Sequence, residues 1–198
     1  MLIPFTTMNL FVLHLNAAKA AEYHADKHVV KMLLEACQLL YSAHWTTEYP
    51  ELLQYRYSVK LSEEQKKLSV PESMRTAPRS LTHPDSQGYR PVHLQHPCAK
   101  WVRESVGNYY WTCQLALALA DEYTYRFGNK VHSCEAHASW LLDNIPDLPS
   151  FEQTEFVQAM YPEFKKEDAV EAYRAYYRGS KGERGLLQYT RRDIPEWI

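Results

Sequence analysis

A chain of 198 residues, 45% hydrophobic and 23% charged, has the make-up of one globular domain and excludes a disordered or fibrous chain. Its net charge of −2 argues against a generic phosphate-backbone binder, which usually carries a basic excess, and leaves only a local basic surface open. No stretch is long and apolar enough to span a bilayer, so the expectation is a cytoplasmic protein with no membrane partner.

The first 15 residues hold an apolar run but no basic leader and no small-residue cleavage site, so they do not read as a signal peptide. Met8 is an alternative start, which makes Met1–Thr7 an extension. Asn9–Leu15 (NLFVLHL) predicts a short buried strand, and Asn16 an N-cap. From Ala17 to His44 there is neither Gly nor Pro, which predicts one long central helix. Residues 46–96 form a loop-rich insert, with a short helix expected over Ser62–Leu68 and breaks at Pro71, Pro78, Pro84, Gly88 and Pro91. So long a loop is usually functional or disordered. Pro97 opens a second long helix, expected to run to Phe127 and stop at Gly128. A third helix is expected over His132–Asn144, a short one over Phe151–Met160, and a last one over 169–178 behind an Asp168 cap. The tail, 179–198, is basic and Gly-punctuated. The fold class is mainly α: a single-domain helical bundle with a short N-terminal strand and a long irregular insert.

The four cysteines, Cys37, Cys98, Cys113 and Cys134, form no C-x-x-C pair, so neither a zinc ribbon nor a redox motif is indicated. Free thiols in a reducing compartment are expected, with Cys37 and Cys113 buried. His132, Cys134, Glu135 and His137 read as surface residues.

The first long helix carries the most informative pattern. On a wheel of 100° per residue, Lys27, His28, Lys31, Glu35, Gln38 and Ser42 fall within roughly sixty degrees of His24. Apolar residues take nearly all the remaining circumference of its second half, so the helix should be buried and its polar stripe should face a cleft or a narrow strip of solvent. The stripe also reads as the solvated face of an amphipathic helix. His24 and His28, at i and i+4, can converge on one point. That spacing can bind a metal, but Ala25 stands where the metalloprotease Glu would be, and Lys27 and Lys31 repel a cation. The same lysines suit an anion, and a histidine beside them can act as acid or base.

Elsewhere, His93, His96 and Cys98 lie at the mouth of the second long helix, where a thiolate or anion is favoured, or they are plain cap residues. Trp101 and Trp111 read as core, Glu122 and Arg126 as an i, i+4 pair, and Arg103 and Asn108 as site candidates. Towards the C-terminus Arg174, Arg178, Lys181, Arg184, Arg191 and Arg192 alternate with Tyr173, Tyr176, Tyr177 and Tyr189. That mixture suits phosphate pairing and base stacking, or else packed tyrosines and solvated arginines.

The segments YHADKHVVKMLLEACQLLYSAHW (Tyr23–Trp45), HPCAKWVRESVGNYYW (His96–Trp111), DEYTYRFG, QAMYPEF, EAYRAYY and the closing PEW together resemble an uncharacterised family of phage and viral proteins. Its members begin at an MN-x-F segment like Met8–Phe11, and His14 stands where they carry an acidic residue. The resemblance implies a virus-infected cell, where nucleotide and nucleic-acid chemistry is common, but it carries no reaction and no cofactor.

Three readings follow. The leading one is an enzyme acting on a nucleotide or nucleic-acid base. His24 or His28 would be its acid/base, Glu35 would orient a His or Lys, Lys27 and Lys31 would hold an anion, and Arg103, Asn108 and Arg174 are further contacts. The second is a metal-dependent enzyme with His24, His28 and Glu35 among its ligands. The third is a non-catalytic protein that binds nucleic acid or a partner through its tail.

Overall fold

The computed structural model describes residues 8–198 apart from 56, 57 and 84; the Met1–Thr7 extension and Pro84 lie outside the described residues. Seven α-helices are present among them: α1 (Ala17–Tyr23), α2 (Asp26–Glu48), α3 (Ser58–Gln65), α4 (Pro97–Val102), α5 (Val106–Arg126), α6 (Glu135–Asp143) and α7 (Ala169–Tyr176). The two long helices, α2 and α5, pack on each other; α1 and α6 also lie on α5, and α4 lies on α2. The fold is mainly helical. No described helix is long and apolar enough to cross a membrane.

Local rules place several ends correctly. The Asn16 side chain accepts from Lys19 N at 3.0 Å and starts α1. Pro97 sits in the first turn of α4, Asp168 caps α7 through Glu171 N, and Gly128 takes a positive φ of 73° just past α5. All four cysteines are free and buried, and Trp101 and Trp111 are core residues.

Other expectations are corrected. Asn9–Leu15 is no strand: the described residues contain only one isolated bridge, Arg79 to Gln87, so this run has no neighbour to pair with. Asn9–Leu13 is buried as an irregular segment, with Leu15 exposed at its end, and side chains satisfy much of its backbone. Asn9 N donates to the Glu35 carboxylate at 3.0 Å, and Leu10 N to the Asn9 side chain at 2.8 Å.

The helix expected over Ala17–His44 is two helices, because the chain turns out of helical geometry at His24 and Ala25. Groups freed by the break find distant partners. Arg126 takes the carbonyls of Glu22 and His24 at 2.8 and 2.7 Å, the Tyr177 hydroxyl takes Ala25 N at 2.8 Å, and Gln188 O takes Asp26 N at 2.8 Å. The second long helix is likewise split. Ser105 accepts from Asn108 N at 3.1 Å and restarts the chain as α5.

Phe151–Met160 is not helical. It crosses the start of α5, where Val106 N and Gly107 N donate to the Ser150 and Phe151 carbonyls at 2.8 and 3.0 Å. The approach is close enough that a Cβ on Gly107 would stand 2.4 Å from Gln153 N, so only glycine fits. The insert is less irregular than expected: α2 continues through Glu48, and short turns of 3-10 helix at Pro50–Gln54 and Glu72–Met74 bury Leu52 and Met74. His132, Cys134 and His137 are buried rather than on the surface; the Tyr41 hydroxyl and His137 Nδ1 lie 2.8 Å apart.

Candidate functional site

The break at His24–Ala25 dissolves the wheel on which the stripe was drawn. His24 ends α1 instead of continuing α2, and it is fully buried. Its Nδ1 donates to Ala20 O at 2.7 Å, while its Nε2 has no partner. Burial, with Arg126 adding to it, holds its pKa down at about 4. His24 therefore lies beneath the site rather than in it.

His28 is the residue the break positions. Its Nδ1 is 2.6 Å from the Tyr177 hydroxyl, whose oxygen also accepts Ala25 N–H. The single hydroxyl hydrogen of Tyr177 then has one acceptor, His28 Nδ1. The hydrogen-bond network so assigns the proton of His28 to Nε2. Burial, reinforced by His24, Lys181, Lys31 and Lys27, pushes its pKa down to about 3. At neutral pH His28 is a neutral imidazole with Nε2–H as its free donor. The Phe11 ring packs on it at 5.0 Å between centroids.

Three lysines act on this imidazole. Lys27 and Lys31 are exposed on the first turns of α2. Lys181 arrives from a π-turn (Tyr177–Lys181) that follows α7. It donates to the Tyr176 hydroxyl at 3.2 Å and lies over the Phe11 and Tyr176 rings. Glu35 is buried beside them: one oxygen accepts Asn9 N–H and the other pairs with Lys31 at 2.9 Å. Burial raises its pKa, against the pull of Lys31 and the Asn9 N–H. Glu35 thus holds a lysine in place.

The remaining candidates lie apart. Asn108 is buried and its amide is fully used: Nδ2 donates to Trp101 O and the Thr154 hydroxyl, and Oδ1 accepts Thr154 N. It staples α4, α5 and the 151–160 segment. Arg174 donates to Leu13 O at 3.1 Å, pairs with Glu171 and lies over the Tyr23 and Trp197 rings, fastening α7 to the N-terminal segment. Arg103 donates to Leu94 O and lines a cleft with Thr46 and Thr47. By helical rise that is about 27 Å along α2 from His28. The tail's arginines are largely engaged within the protein: Arg178 with Trp197 O, Arg191 with Tyr125 O, and Arg192 with Glu122. No group of three His, Cys, Asp or Glu side chains placed to hold a metal occurs among the described residues.

Tyr177 and Lys181 are the site residues that sequence reasoning did not single out individually. A Tyr177→Phe variant removes the acceptor of Ala25 N–H and the donor to His28. Unfolding free energy should fall by about 1–3 kcal/mol, the cost of stranding a buried polar group. The ¹⁵N shifts of the His28 ring should move from one fixed tautomer to a mixture; an unchanged ring spectrum contradicts the assignment.

No family model matches the chain, and neither a curated protein nor a solved structure is significantly similar to it.

Proposed function

We propose that this chain is an enzyme acting on a nucleotide or a nucleic-acid base, with its site at the start of α2. The observation that carries the reading is the setting of His28. Two lysines of α2 and one from the π-turn act on a single neutral imidazole, and the Glu35 carboxylate is already committed to Lys31. An excess of ammonium groups around a neutral donor suits a phosphate-bearing substrate. Lys27, Lys31 and Lys181 hold the anionic group. His28 Nε2–H donates to an oxygen on which charge builds during reaction, the task a neutral imidazole performs without losing a proton. Glu35, whose two oxygens are taken by Asn9 N–H and Lys31, orients Lys31 towards that anion.

The test is calorimetric titration of the four deoxynucleoside monophosphates, and of a short single-stranded oligonucleotide, into wild-type, Lys31→Gln and Lys181→Gln protein. Binding to at least one of these ligands should weaken about tenfold in each variant, as expected for loss of one charge-assisted contact. Equal affinity in all three proteins sinks the reading. His28→Gln separates catalysis from mere binding: an enzyme loses turnover of the bound ligand while keeping most of its affinity.

A further inference from the structure

The HPCAKWVRES segment has no part in the His28 site, yet its helix α4 builds one wall of a cleft of about 730 Å³. The opposite wall is the end of α2 with Thr46 and Thr47, and the rim is the loop at Asp147. A volume of that size accommodates a small organic molecule.

The charges in this cleft are unusually idle. Arg103 is half-buried, and among the described residues its hydrogen bond goes to the Leu94 carbonyl, at 2.7 Å. No carboxylate among the described residues pairs with it, and burial lowers the guanidinium's pKa. A guanidinium has five donors in a planar fork suited to a carboxylate or phosphate, and a desolvated one without an anion is costly. Lys100, one helical turn earlier on α4, lines the same cleft with no ion pair among the described residues. Two exposed acids line the same cleft. Glu104 accepts from the Thr154 hydroxyl, and Asp147 has no partner among the described residues. A polyanion such as a nucleic-acid backbone would meet both carboxylates and be repelled. A molecule with one oxyanion and one amine satisfies both sides.

We propose that this cleft is a second ligand site, independent of the His28 site, and that it binds a small zwitterion of the α-amino-acid class. The ligand carboxylate sits on the Arg103 fork with Lys100 beside it, and its ammonium group faces Asp147. The side chain extends past α4 towards the wall formed by Trp101, Phe156 and Val157, which lines an adjoining cleft that shares Lys100 and Glu104.

The twenty free amino acids are screened on the whole protein by thermal shift, and any ligand found is measured by titration calorimetry. At least one should bind. Its amide, which lacks the carboxylate, and its N-acetyl form, which lacks the ammonium, should each bind at least about tenfold more weakly. Arg103→Gln should weaken binding by a similar factor. Asp147→Asn, at an exposed loop position that leaves folding alone, should do the same, so a misfolded Arg103 variant does not decide the matter. Absence of binding by all twenty overturns the proposal. So does equal binding of the N-acetyl form, or of inorganic phosphate alone, because either makes the cleft a simple oxyanion site.

Discussion

Mild acid should unfold this protein between about pH 6 and pH 4.5. His24, His28 and His44 are buried, and burial holds their pKa values at about 4, 3 and 4, against an ordinary 6.5. Each is neutral in the folded chain. In the unfolded chain each takes a proton once the pH drops below 6.5. The unfolded state therefore binds more protons between pH 6.5 and the folded values, and stability falls with pH across that window. At pH 5 the difference is about 1.5 pH units for each residue, or about 2 kcal/mol, and roughly 6 kcal/mol for the three together. That is comparable to the whole stability of an ordinary domain, about 5–15 kcal/mol. Glu35 works in the opposite direction. Its raised pKa lets the folded form take up a proton first, so acid relieves a cost there, but one carboxyl does not offset three imidazoles. Far-ultraviolet circular dichroism and tryptophan fluorescence, followed from pH 7.5 to pH 4, should show one cooperative loss that takes up two to three protons (about that number from His24, His28 and His44). Signals unchanged at pH 4.5 would contradict the burial of these histidines.

Replacement of Arg126 by methionine should be the most damaging single substitution in the helical scaffold. The Arg126 side chain is wholly buried at the last residue of α5. It pairs with Glu122 at 2.8 Å and Asp26 at 3.1 Å and takes the carbonyls of Glu22 and His24. Methionine fills much of the volume but leaves the Glu22 and His24 carbonyls without this donor and removes the buried cation from Glu122 and Asp26, which keep only Arg192 and Thr190. Removing one partner of a buried ionic network costs about 3–5 kcal/mol. For a chain of this size the melting temperature should fall by roughly 6–20 °C. Calorimetry of wild-type, Arg126→Met, Glu122→Gln and the double variant tests the argument. The double variant should be less destabilised than the sum of the two single ones, since the same pairing is lost only once. Simple additivity would mean that the two side chains do not act together.

What was legible in the sequence follows from how far away each determinant lies. Asn16, Pro97, Gly128 and Asp168 mark ends through groups within a turn of themselves, and those ends were readable. The break at His24–Ala25 was not, because residues 17–44 are locally a sound helix. The groups that stabilise the break are supplied by Arg126, Tyr177 and Gln188, each at least a hundred positions along the chain. The split at Ser105 had a local sign, a serine three residues ahead of Asn108, that Pro97 and the following helix formers obscured. The stripe gathers Lys27, His28, Lys31 and Glu35, which do lie on the one helix α2 that sets their register. It wrongly included His24, whose register the break changes. Lys181 looked like one more charge in a basic tail, because nothing local tells of a π-turn that aims it back at Phe11.

The stitching of the C-terminal segment onto the α1–α2 junction bears on the order in which the chain is made. Gln188 O holds Asp26 N, Thr190 donates to the Asp26 carboxylate, and the Tyr189 hydroxyl donates to Tyr23 O. The first helices therefore leave the ribosome well before the residues that fix their angle. During synthesis α2 can gather its apolar face against α5, but the turn that presents His28 waits until residues 188–190 have been made. A messenger cut short there would yield a folded core with an unset site. The angle between α1 and α2 is thus fixed from a distance, only after the residues that hold it have been added.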